Sequence, residues 1–76
     1  MADTVSAHRF GEKLRYLRKK RGLTMQALSY ALETSSSYIS QVENGQIETR
    51  IGFALRVARF FGVSVDDMVD DEREVG

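Results

Sequence analysis

Seventy-six residues, 42% hydrophobic and 29% charged, suffice for one globular domain, are too few for two, and do not read as a disordered chain. The absence of cysteine excludes disulfides and thiolate metal sites and fits a reducing cytoplasm, and no apolar run approaches the ~20 residues of a membrane span. Net charge is zero, which argues against a generic polyanion binder, yet the charge is sorted: residues 1–22 sum to +5, 23–49 to −3, 50–61 to +3 and 62–76 to −5.

Residues 1–6 are short and polar and are expected to fray as a flexible N-terminus. Phe10, Leu14 and Leu17 then recur at i, i+4, i+7, which predicts a first helix ending near Lys20 or Arg21 with that stripe buried. Arg18, Lys19, Lys20 and Arg21 fill its last turn, where cations complement the helix dipole and are also available to phosphate. Gly22 suits the left-handed residue that follows a helix end.

Residues 24–45 organise the rest. Behind Thr24, Leu28, Ala31 and Leu32 recur at helical spacing; behind Ser35, Ile39 and Val42 sit three apart until Asn44-Gly45 stops the pattern. Thr24 and Ser35 are suited to cap these helices, because a hydroxyl oxygen accepts from a first-turn N–H. Two such helices joined by a short turn make the helix-turn-helix pattern.

A fourth helix is predicted after Thr49 and before Gly62, with Ile51, Ala54, Leu55, Ala58 and Phe61 as its core stripe. Phe53, Val57 and Phe60 form a second apolar stripe at i, i+4, i+7, too large for a small monomer to leave in water. It reads as a dimer interface anchored by Phe53 and Phe60, the alternative being that a fifth helix folds over it. That fifth helix opens at Ser64, with Asp67 placed to complete a capping box and Val65, Met68 and Val69 as its apolar side. Residues 70–76 read as a mobile acidic tail. Asp66, Asp67, Asp70, Asp71 and Glu72 lack the turn glycine and alternating oxygens of a calcium loop, so neither a metal nor a cofactor is expected.

Catalysis has little to work with. His8 is the single histidine, there is no thiol, and the serines 35–37 and 40 have no base in register. A DNA-reading helix is better served, since it needs one face pinned to a core and the other carrying short or amide side chains. The segment 35–44 divides in that way: Ile39 and Val42 face inward, while Ser36, Ser37, Ser40 and Gln41 lie elsewhere on the cylinder.

Gly22-Leu23-Thr24, Leu28, Ser37-Tyr38-Ile39-Ser40 and above all Gln41-Val42-Glu43-Asn44-Gly45 resemble the helix-turn-helix of the lambdoid phage repressor and Cro family. Residues 10–22 and 58–68 resemble that family's first and last helices, so the likeness spans roughly residues 9–69. It implies an all-α, five-helix DNA-binding domain over residues 7–69. Base contacts would fall to Ser36, Ser37, Ser40 and Gln41; the Gln41 amide suits bidentate pairing with adenine N6 and N7. Phosphate contacts would fall to Arg18, Thr24, Met25, Gln26, Tyr38, Asn44, Gln46 and Arg50, helped by the N–H groups that open the second helix. Arg18 and Glu43 align with a structural ion pair of the family.

The chain departs from that pattern in places. Met25 stands where the family often has a phosphate-binding glutamine, with Gln26 beside it; Glu33 replaces the usual turn glycine; Ser29 replaces a small alanine. No Lys or Arg occurs between Arg21 and Arg50, so one copy is expected to bind weakly and two copies on a palindrome to compensate. The expectation is a cytoplasmic, homodimeric repressor-type transcriptional regulator of double-stranded DNA, with no membrane partner. The rival reading is a protein-interaction module on the same fold, an antitoxin or a regulator-binding protein.

Overall fold

Hydroxyl side chains set where three of the helices begin. Thr24 Oγ1 accepts from the Ala27 N–H at 3.0 Å, Ser35 Oγ from the Tyr38 N–H at 3.1 Å and Ser64 Oγ from the Asp67 N–H at 3.0 Å. The computed structural model describes residues 4–5 and 7–75. Among them the order is β1 (Thr4–Val5), α1 (Phe10–Lys20), α2 (Met25–Ala31), α3 (Ser36–Glu43), β2 (Thr49–Arg50), α4 (Ile51–Phe61) and α5 (Val65–Val69). The fold is mostly helical, with one small ribbon: β1 pairs antiparallel with β2, Thr4 opposite Arg50 and Val5 opposite Thr49. Thr4 and Val5 are therefore ordered as a strand; the rest of the expected fraying at residues 1–6 concerns Met1–Asp3 and Ser6, outside the described residues.

The first helix starts differently. Arg9 caps α1 without a side-chain bond of its own, and a carboxylate from the far end of the chain fills the vacancy. Asp71 Oδ2 and Oδ1 accept from the His8 and Arg9 N–H groups at 3.0 and 2.9 Å. Those two backbone bonds, Arg9 first, hold the Asp71 carboxyl below its ordinary range. Arg9 closes the clasp by donating to the Asp71 carbonyl at 2.8 Å and to Glu74 at 2.9 Å. Residues 70–75 are thus strapped across the start of α1, not the mobile tail that their composition suggests; Gly76 is outside the described residues.

One core gathers Phe10, Leu14 and Leu17 of α1 with Leu28, Leu32, Ile39, Val42, Phe53, Ala54, Val57, Phe61 and Met68. This corrects the reading of α4. Phe53 and Val57 are 7% and 0% exposed, and the Phe53 ring meets the Tyr38 ring edge-on at 5.0 Å. Phe60 is half-buried, with the Arg21 guanidinium 5.4 Å from its ring centre. The expected dimer stripe Phe53, Val57, Phe60 is therefore core and core margin, while Ile51 and Leu55, assigned to the core, are 46% and 37% exposed. Apolar side chains cover ~220° of this helix at ~100° per residue, so periodicity shows an apolar arc and leaves its centre open.

Cations close several helix ends. Lys13 is buried and donates from Nζ to the Asp67 and Asp70 carbonyls at the end of α5, at 2.6 and 2.7 Å. Arg21 donates to the Phe60 and Phe61 carbonyls at the end of α4, and Arg56 to the Leu32 carbonyl that follows α2. Each satisfies carbonyls that a helix end leaves without an intrahelical partner.

Gly11 governs how closely α1 meets α3. A Cβ there would lie 2.1 Å from the Val42 carbonyl oxygen and 2.9 Å from that of Glu43. Gly11→Ala is expected to lose ~1–3 kcal/mol by forcing the helices apart. A urea titration reads this as a lower midpoint; an unchanged midpoint would mean that the helices separate freely.

Candidate nucleic-acid interface

The third helix is held by its inner face. Ile39 and Val42 are buried, and Glu43 beside them is buried as well, a position that a carboxylate tolerates only with partners. Arg18 supplies them: Nε donates to Oε2 at 2.7 Å and Nη2 to Oε1 at 3.0 Å, a two-pronged contact from α1 to α3. Arg18 Nη1 donates to the Leu23 carbonyl at 2.9 Å, which fixes the entry to α2. The bond to Glu43 raises the Arg18 pKa further above its already high ordinary value. A second guanidinium, Arg15, reaches Glu43 Oε1 at 3.4 Å from the solvent side.

The opposite face is in water. Ser36, Ser37 and Gln41 are exposed and Ser40 is half-buried. Ser40 Oγ accepts from Asn44 Nδ2 at 3.4 Å, and Asn44 Oδ1 accepts from Arg15 Nη2 at 3.2 Å. Gln46, just past the helix, is exposed, and its N–H donates to the Gln41 carbonyl at 2.9 Å. The turn between α2 and α3 carries Glu33 at φ 56°, a left-handed residue with a side chain. The bond from the Thr34 N–H to the Ser29 carbonyl, 2.9 Å, closes that turn around it, offsetting a conformational cost of roughly 1–2 kcal/mol.

Three of the phosphate-contact expectations need revision. Three of the five N–H groups of Arg18 already donate inside the protein and its side chain is only 10% exposed, so the residue acts as an internal tie. Tyr38 turns inward; its hydroxyl is buried and finds no partner among the described residues. Met25 is half-buried against the core, which leaves only its backbone N–H for an anion. By contrast Thr24, Gln26, Asn44, Gln46 and Arg50 are exposed. Arg21, which stood near DNA in the sequence reading, is committed to the end of α4.

Gly11, Lys13 and Arg56 were missed as structural residues. Lys13 had a signal, since at ~100° per residue it falls ~40° beyond Leu17, on the margin of the Phe10, Leu14 and Leu17 stripe. Gly11 and Arg56 had none, because their partners lie 31 and 24 residues away in sequence. No helix among the described residues is long and apolar enough to cross a membrane, and no three carboxylates or histidines among them converge as a metal site requires.

This geometry has close relatives. A family model described as a helix-turn-helix domain matches residues 9–71. The HTH-type transcriptional regulator PrpR of Mycobacterium tuberculosis is 38% identical over 71 residues, covering 93% of this chain but only 15% of PrpR. This chain thus corresponds to a small part of that relative's length. Among solved structures, the N-terminal DNA-binding domain of SinR from Bacillus subtilis matches at a TM-score of 0.78 and 26% identity, covering 88% of this chain and 99% of that one. The P22 c2 repressor, solved in complex with a synthetic operator, matches at 0.75 and 27% identity, covering 82% and 94%.

Glu43→Ala leaves Arg18 facing a dry gap and is expected to cost ~3 kcal/mol or more, whereas the double replacement Arg18→Met with Glu43→Leu recovers most of it. A double-mutant cycle from thermal melts measures the coupling. A Glu43→Ala loss no larger than the ~0.5 kcal/mol of an ordinary surface change would show that the pair anchors nothing.

Proposed function

The chain belongs to the helix-turn-helix domain family, and from that premise we propose that it is a sequence-specific double-stranded DNA-binding transcriptional regulator whose residues 35–44 enter the major groove. One observation carries the reading: α3 is clamped on one side by Ile39, Val42 and the buried Glu43, and presents Ser36, Ser37 and Gln41 to water on the other. A helix fits the major groove, and hydroxyls and amides match the donors and acceptors on base edges there. The P22 c2 repressor, similar in structure, is solved with a synthetic operator bound, which supports DNA as the partner of this chain.

In this reading Gln41 is the principal base reader, with Ser36, Ser37 and Ser40 as lesser ones. Thr24, Met25 and Gln26 serve phosphate through the opening turn of α2, and Asn44, Gln46 and Arg50 flank it. Because Arg18 and Arg21 are engaged internally, one copy neutralises few phosphates and needs a second. We assign that contact to Ile51 and Leu55 with their neighbours. They line an apolar groove of about 350 Å³ shared with Thr4, Val5, Val65 and Val69. Two copies related by a twofold axis would read an inverted repeat with half-sites ~34 Å apart.

Selection of bound duplexes from a random pool is expected to recover a palindrome, and binding is expected to weaken by orders of magnitude between ~50 and 200 mM salt. Gln41→Ala is expected to flatten one base position and its symmetry mate, a loss of ~1–3 kcal/mol of discrimination. Identical preferences with and without the amide would remove Gln41 from the readers. Leu55→Glu is expected to leave the helical spectrum unchanged while sedimentation shifts to a monomer; a persistent dimer would discard the Ile51–Leu55 face.

A further inference from the structure

Donors and acceptors around Ser40 run in one direction only. Glu43 is an acceptor, and Arg15 has nothing but donors, so the atom of Asn44 that meets Arg15 Nη2 at 3.2 Å has to be the amide oxygen. That contact fixes the orientation of the amide by chemistry. Its nitrogen is then turned to Ser40 Oγ, 3.4 Å away, and donates to it. A hydroxyl that accepts once at its oxygen keeps its proton and one lone pair for other partners. Ser40 sits one residue before Gln41 and on the same helix as Ser36 and Ser37, at the edge of the proposed reading face.

We infer that Arg15 and Asn44 are positioning residues that occupy one of the two lone pairs of Ser40 Oγ and so bias Ser40 toward donating, which favours an acceptor on the base edge it meets. In the major groove the acceptors are purine N7, guanine O6 and thymine O4, whereas cytosine presents an N4 amino donor. Ser40 therefore favours those acceptors over the cytosine edge at one position, although a serine taken alone donates or accepts equally well. The inference rests on the proposed major-groove reading and adds to it a specificity that α3 does not carry by itself: one of its controlling side chains stands on α1, twenty-five residues before the reader.

The test is parallel selection from a random duplex pool by the unaltered chain and by Ser40→Ala, Asn44→Asp and Arg15→Met. The unaltered chain is expected to disfavour cytosine at one position and its symmetry mate by about threefold to tenfold, the scale of a single hydrogen bond. Ser40→Ala should flatten that position. With Asn44→Asp the hydroxyl proton turns to the carboxylate, the oxygen lone pairs turn outward, and the preference should move toward cytosine or adenine amino groups. Arg15→Met lets the amide rotate and should weaken the preference at the same position while sparing the one assigned to Gln41.

Circular dichroism checks that each variant is folded. Should Asn44→Asp unravel the end of α3, Arg15→Met, which alters an exposed side chain of α1, tests the same chain of bonds. An unchanged preference at the Ser40 position in a folded Arg15→Met or Asn44→Asp variant overturns the inference and leaves the groove reading standing. A uniform loss across all positions for Arg15→Met makes Arg15 a phosphate contact and also overturns it. No base preference at any position in the unaltered chain overturns both.

Discussion

The Arg18–Glu43 contact sets the geometry on which everything outward depends. It joins α1 to α3 through two short bonds in a place with almost no solvent, and its third bond reaches the start of the next element at Leu23. Taking both charges out of water costs several kcal/mol before any attraction is counted, so the pair is poorly suited to adding net stability. Its effect is on arrangement. A helix of eight residues, held by Ile39 and Val42 alone, could roll on its apolar stripe; a two-pronged contact at its last residue stops the roll. Gly11 removes the remaining freedom, because the backbones of α1 and α3 touch where a side chain would stand.

A chain of this length has few apolar residues to spend on a core, and it closes several helix ends with charge instead. Lys13 closes α5, Arg21 closes α4 and Arg56 closes α2, while Asp71 opens α1 from the other end of the chain. These cations and carboxylates lie far apart in sequence, so the sorted charge blocks become a set of internal ties. The net charge of zero is a sum over the sequence, whereas these ties decide which charged groups are engaged inside. With those cations engaged elsewhere, the outer face of α3 is left mainly to hydroxyls and an amide. In the proposed function the affinity lost with those cations returns through a second copy, and specificity rests on hydrogen-bond direction more than on charge.

Much of the fold was legible because it is local. Thr24, Ser35 and Ser64 name their own helix starts, and the spacing of Phe10, Leu14 and Leu17 names the buried side of α1. The resemblance of residues 37–45 to a known helix-turn-helix named the elements that carry the candidate site. The reading failed on α4, where Phe53 and Val57 proved to be core and Ile51 and Leu55 surface. It failed on residues 70–75, which look solvated until Arg9 and the start of α1 are placed beside them. It failed on Tyr38, whose ring found Phe53 in place of solvent.

The sequence by itself determined where helices start and stop, and which short polar side chains share the outer face of residues 35–44. Those properties follow from interactions within a few residues, and a linear pattern records them. Only the tertiary structure decided which side of α4 is core, which cations are used up inside, and which way the amide of Asn44 faces. Each of those is settled by a partner at long sequence separation, and the energy that selects it exists only once the helices have met.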